Sequence, residues 1–125
     1  MLAVKRIYDP ASPEDGKRYL VDRIWPRGIS KAEAALDGWL KELAPTATLR
    51  AWFDHEPDRW EEFRHRYLEE LSNQAASRAV ARLRNLAARE TVTLLFAARD
   101  TARNNAVALR SFIESGEIED RAAML

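Results

Sequence analysis

Cysteine is absent from the 125 residues, which excludes a disulfide framework, a thiolate nucleophile and cysteine-ligated zinc. Histidine is nearly as scarce. The two present, His55 and His65, lack the helical spacing of a two-histidine metal site, so no metal is expected. No apolar run approaches the roughly 20 residues that span a membrane, and Met1 to Tyr8 is a short mixed segment without the apolar stretch of a signal peptide. A charge excess is missing too. Twenty basic residues oppose twenty acidic ones, so attraction to nucleic acid or anionic lipid must come from local patches. Glycine-rich phosphate loops, a nucleophile elbow and a dinucleotide fingerprint are all lacking. These absences lead to an expectation of a cytoplasmic protein with no membrane partner and no cofactor.

What is present is the composition of a folded chain, 46% hydrophobic and 32% charged. A chain this long buries about two thirds of its unfolded surface and needs no staple. Residues 1–125 are expected to form a single domain.

Leu2 to Tyr8 reads as a strand, with Leu2, Val4, Arg6 and Tyr8 on one side and Ala3, Lys5 and Ile7 on the other. A loop with Pro10, Pro13 and Gly16 follows. Arg18 to Ile24 reads as a second strand, leaving at Trp25-Pro26-Arg27-Gly28. Ser30 and Glu33 have capping-box spacing, starting a helix through about Leu36. Gly38 to Leu43 fits strand or helix. Thr46 can cap a short helix carrying Leu49, Trp52 and Phe53, and Pro57 suits a first helical position.

The spacing of Trp60, Phe63, Tyr67, Leu68 and Leu71 predicts a helix over Pro57 to Leu71, and that of Val80, Leu83, Leu86 and Ala87 a second over Ala75 to Arg89. Thr91 to Ala98 contains a nearly unbroken apolar run, expected of a central strand covered on both faces. A last helix is predicted from Thr101 to Ser115, with Ala102, Ala106, Leu109, Phe112 and Ile113 inward and Gly116 as its stop. Strands interleaved with helices predict an α/β fold, a small mostly parallel or mixed sheet flanked by helices in one layered domain. The connection between the first two strands is too short to settle their relative direction.

Two clusters can carry chemistry. At Arg99 to Asn105 a buried strand ends and a helix begins, and α/β sheets gather ligands beyond the carboxyl ends of their strands. Arg99 can grip an anion in bidentate fashion, while Asn104 and Asn105 offer donors and acceptors. The plainer alternative is that Asp100 caps the helix and Arg99 is a solvated charge. The second cluster is Asp22-Arg23-Ile24-Trp25-Pro26-Arg27-Gly28, where Trp25 beside arginine can stack on a planar ligand. Equally, Trp25 belongs to the core and Asp22 and Arg23 pair with neighbours. His55, in a loop with Asp54 and Glu56, is the only candidate proton carrier. His65 reads as structural.

Leu20-Val21-Asp22-Arg23-Ile24-Trp25-Pro26-Arg27-Gly28, Trp39-Leu40-Lys41-Glu42-Leu43-Ala44-Pro45, Leu49-Arg50-Ala51-Trp52-Phe53 with His55, Trp60-Glu61-Glu62-Phe63, Leu94-Leu95-Phe96-Ala97-Ala98-Arg99-Asp100 and Asn104-Asn105-Ala106 together resemble the YeaO-like branch of domain-of-unknown-function family 488. The resemblance covers nearly the whole chain. It implies a small α/β domain of bacterial or archaeal origin and no particular reaction. The wider family tends to carry a cysteine and a histidine near the turn after the central strand. Here Phe96 and the pair Asn104-Asn105 stand in that neighbourhood, which removes any cysteine-dependent chemistry. The polar positions that match are Asp22, Arg23, Arg27, His55, Arg99, Asp100, Asn104 and Asn105.

The first functional expectation is therefore a site for a phosphate- or carboxylate-bearing small molecule at the strand ends, with Arg23, Arg27 and Arg99 sharing one pocket. One alternative is a nucleic-acid-binding module using the basic stretch from Lys17 to Lys31. Another is an interaction protein without chemistry of its own, which would expose an apolar patch and form a stable oligomer.

Overall fold

A computed structural model describes residues 1–118; residues 119–125 lie outside the described region. Strand β1 (Leu2–Arg6), β2 (Lys17–Leu20), β3 (Gly38–Trp39) and β4 (Val92–Phe96) form one sheet in the order β1-β4-β2-β3. Every pairing in it is parallel. The first two strands thus run in the same direction without pairing, because β4 slots between them. That position explains the composition of β4, whose five residues are all buried. Each fully buried leucine there contributes about 1.5–3 kcal/mol relative to an exposed one.

Alternation along the strands sorts the helices into layers. Val92, Leu94 and Phe96 face the larger core, built with α2 (Ala47–Phe53), α3 (Trp60–Glu70), α4 (Gln74–Ala87) and α5 (Asn105–Ser115). Leu95, Leu20 and Ile7 face the opposite way and pack with Ala34 of α1 (Lys31–Ala34). The fold is a parallel α/β sheet with helices on both faces.

The small face also hides a charged network. Arg18 is only 4% exposed. It donates through Nη1 to Asp15 at 2.5 Å and through Nε and Nη2 to the Ala34 carbonyl at 3.1 and 2.8 Å. Lys5 reaches the same carboxylate at 3.0 Å. Burial pushes the Asp15 carboxyl up, but the Ser12 amide, Lys5 and Arg18 outweigh it and hold the group below its ordinary range. A charge buried here is tolerated because its donors surround it.

Several boundaries differ from those the sequence suggests, each for a local reason. Strand β2 stops at Leu20 rather than Ile24. The Val21 amide still donates to Leu95, but the next bond runs from the Ala97 amide to the Asp22 carboxylate, so a side chain replaces the ladder. Strand β1 ends at Arg6, where Asp9 folds back in a turn to the Arg6 carbonyl. The ambiguous segment Gly38 to Leu43 divides into β3 and a 3-10 turn at Lys41–Leu43. Helix α5 begins at Asn105 instead of Thr101, with Asn104 as its cap. Ala102, expected to point inward, is consequently exposed. The Ser30–Glu33 capping box, the Thr46 cap and the left-handed Gly116 stop all form.

Candidate functional site

Strand β2 sends its chain to α1 on the small face, whereas β4 sends its chain to α5 on the large one. Neighbouring parallel strands whose connections diverge leave a crevice at their carboxyl ends, the usual ligand position in such sheets. A cavity of about 860 Å³ lies there, within the size range of small-molecule sites.

Its inner wall is built from strand ends. Asp22, half-buried just past β2, accepts from the Ala97 amide at 2.9 Å through Oδ2 and from Asn105 Nδ2 at 3.0 Å through Oδ1. Burial raises the Asp22 carboxyl above its ordinary value, while Asn105, the Ala97 amide and the charge of Arg50 pull the other way. Asn105 Nδ2 also donates to the Val21 carbonyl at 2.9 Å, tying α5 to the end of β2. Asn104 is 2% exposed. Both of its side-chain groups are committed: Oδ1 accepts from Val107, and Nδ2 donates to the Asp100 carbonyl. Asn104 is the helix cap. Asp100, the cap suggested by sequence, instead organises the turn before it, accepting from the amides of Ala102 and Arg103 and pairing with Arg103 at 3.0 Å. Those amides, chiefly, hold the Asp100 carboxyl below its ordinary range.

The mouth is cationic. Arg50, Arg99 and Arg103 line it and are exposed. Among the described residues neither Arg50 nor Arg99 has a hydrogen-bond or ion-pair partner for its side chain, though the charge of Arg50 acts on Asp22. His55 completes the rim, carried by two successive left-handed residues, Asp54 (φ 47°) and His55 (φ 54°), that end α2. Aspartate and histidine enter that region more readily than most residues. The remaining lining is apolar: Phe53 and Phe63, stacked with ring centroids 4.6 Å apart, together with Pro45, Ala47, Ala51, Ala97 and Ala98.

The fold thus brings Asp22, His55, Arg99, Asp100, Asn104 and Asn105 around one cavity and leaves Arg23, Trp25 and Arg27 outside its lining. Arg23 donates to the carbonyls of Pro45 and Ala44 at 3.0 and 3.2 Å, which braces the loop leading to α2. Trp25 packs edge-on against Trp39 at 5.5 Å on the small face, its Nε1 donating to Ile29. Arg27 is exposed, and its carbonyl accepts from the Tyr8 hydroxyl. Of the basic stretch from Lys17 to Lys31, Arg18 is buried in the Asp15 network and offers nothing to a surface partner.

A family model described as "Inactive DUF488-N3 subclade" matches residues 1–123. The chain belongs to that family. It is 44% identical over 110 residues to an uncharacterised protein of Mycobacterium tuberculosis, covering 88% of this chain and 91% of that one. With the uncharacterised protein YeaO of Escherichia coli it shares 43% identity over 111 residues, covering 89% and 95% respectively. No solved structure matches it. No helix among the described residues is long and apolar enough to cross a membrane.

Sequence reading missed three contributors. Arg50 sits on a seven-residue helix, and an arginine on a short polar face reads as solvated. Arg103 carries no signal beyond its spacing from Asp100. Arg6, in the middle of the sheet pattern, donates to the carbonyls of Ala98 and Ala97 at 2.9 and 3.1 Å and so shapes the loop that presents Arg99.

Proposed function

We propose that this protein binds a small phosphate- or carboxylate-bearing molecule in the crevice between β2 and β4, without transforming it. The observation that carries the reading is the pair Arg50 and Arg99, two guanidiniums from separate segments beside one cavity, neither holding a hydrogen bond or ion pair among the described residues. Arginine forks match carboxylate and phosphate oxygens, and charge-assisted bonds are the strong ones. The first turn of α5 adds partial positive charge on the same side.

Binding without turnover accords with the family's description as an inactive subclade. It also accords with the shortage of catalytic groups. Among the described residues His55 is the one histidine at the cavity, and no serine, threonine or cysteine lines it. On this reading His55 contacts the anion rather than shuttling a proton.

Isothermal titration with inorganic phosphate, pyrophosphate and small carboxylates tests the proposal. Arg50→Ala and Arg99→Ala should each weaken the best binder by about 10- to 100-fold, the loss of one charge-assisted contact. Unchanged affinity in both variants, or no anion bound by the native protein, overturns it.

A further inference from the structure

Resting on that anion-binding reading, we infer that the ligand is bipolar: one anionic group at the mouth, an apolar ring-sized body in the cavity, and a hydrogen-bond donor at the inner end. Burial supplies the first argument. The three arginines at the cavity are exposed, whereas the polar groups on its inner wall, Asp22, Asn104 and Asn105, are buried or half-buried. Arg103 is paired with Asp100, but Arg50 and Arg99 keep net positive charge outside, and the inner wall carries the Asp22 carboxylate.

The inner end accepts rather than donates. Each Asp22 oxygen already takes one protein donor, from Ala97 or Asn105, and each retains a lone pair. Asn105 has spent Nδ2 on the Val21 carbonyl and Asp22, which fixes its amide orientation and leaves Oδ1 without a partner among the described residues. An anion pushed inward would meet the Asp22 carboxylate in a partly desolvated site, where like charges repel more strongly than in water. An amine, amide or hydroxyl would find acceptors.

Between the two ends the walls are apolar, with four alanine methyl groups beside Phe53 and Phe63. Ala47 and Ala51 lie one helical turn apart on α2, and Ala97 and Ala98 follow β4 on the other side. Larger side chains at these positions would fill the space. As it is, the cavity of about 860 Å³ has far more room than a bare phosphate occupies.

Calorimetry of the native protein with four probes tests the inference: inorganic phosphate, phenyl phosphate, 4-aminophenyl phosphate and 4-carboxyphenyl phosphate. Phenyl phosphate should bind about tenfold tighter than inorganic phosphate, from burial of the ring. The amino probe should bind tighter still, and the carboxy probe about tenfold weaker than phenyl phosphate. Ala51→Leu, at an exposed helical position, should cost the ring-bearing probes their advantage over inorganic phosphate. Asp22→Asn should shrink the gap between the amino and carboxy probes. Where that variant is poorly folded, the order in the native protein decides alone. If inorganic phosphate binds as well as phenyl phosphate, or the carboxy probe as well as the amino one, the bipolar ligand is wrong and simple anion binding stands. If no probe binds, both fail.

Discussion

The side-chain amide of Asn105 donates to Asp22 Oδ1 at 3.0 Å, and the same nitrogen donates to the Val21 carbonyl at 2.9 Å. These residues are 83 positions apart in the chain. The contact joins the first residue of α5 to the exit of β2, and it closes the inner wall of the cavity. Because the Ala97 amide takes the other Asp22 oxygen, one carboxylate ties together both strand ends and the helix between which a ligand would lie. The half-buried carboxylate thus holds the inner wall together.

Removing the amide tests that role. Asn105→Ala leaves the Val21 carbonyl and the Asp22 carboxylate each short of a donor, and should lower stability by about 1–3 kcal/mol. Asn105→Asp should be worse at neutral pH, since a second carboxylate then faces the first, and should recover partly on acidification. Urea denaturation of the two variants at neutral and mildly acidic pH measures both effects. Equal midpoints for Asn105→Asp and Asn105→Ala at neutral pH would mean that Asp22 is not an ionised partner.

Asp22 and Asp15 should respond to pH with opposite signs. Burial puts the folded value of Asp22 above the ordinary 3.8. The folded state therefore holds this proton more tightly, and its stabilising effect is complete below the unfolded value and lost as pH rises through the folded one. Asp15 is held below 3.8, so its contribution is present above the unfolded value and disappears as pH falls through the folded one. Carbon-detected NMR titration of the two carboxyls should give midpoints on either side of the ordinary aspartate value. Asp22→Asn should lose ground against the native protein as pH is lowered from neutrality to below the ordinary aspartate value of 3.8, because the variant lacks the proton-linked gain. A gap between the two that stays constant across this range would remove the burial argument.

Arg18 is a charged residue acting as core. Arg18→Ala should cost about 3 kcal/mol, since it strips Asp15 of one cation and the Ala34 carbonyl of both its donors. Lys5 remains on Asp15 and keeps the loss at the lower end of the range for broken buried pairs. Arg18→Lys restores charge without the fork that spans Asp15 and Ala34, and should recover only part of the loss. Thermal unfolding of the two variants reads this directly. A stability unchanged in Arg18→Ala would show the network to be incidental.

Much of the fold was legible because it follows local rules. The apolar run from Val92 to Phe96 belongs to a doubly covered strand, and Ser30, Thr46 and Gly116 act at helix ends as their chemistry dictates. What escaped depends on partners distant in sequence. Arg18 looks like a surface cation until Asp15 and Ala34 are folded over it. Strand β2 ends early because a side chain takes over the next ladder bond, which no periodicity encodes. At the cavity, Asp22 and the Arg99 to Asn105 turn follow from the rule that sites form at strand ends, and both line it. Arg23 and Arg27 share the same stretch of chain as Asp22, yet the direction taken after Val21 carries them elsewhere, to the Pro45 loop and to solvent.

That divergence makes a paired prediction about arginines that composition treats alike. Arg23 donates to two carbonyls of the segment before α2, so Arg23→Ala should lower stability by about 1–2 kcal/mol. Its effect on anion affinity should be indirect, through the placement of Arg50. Arg99 has no partner to lose among the described residues. Arg99→Ala should therefore leave the unfolding midpoint within about 0.5 kcal/mol of the native value, as for surface changes that break nothing, while removing a direct contact to the ligand. Measuring denaturation and anion binding on both variants separates a brace from a binding group. If Arg99→Ala destabilises the protein as much as Arg23→Ala does, Arg99 is part of the scaffold, and its guanidinium is not held free for a ligand.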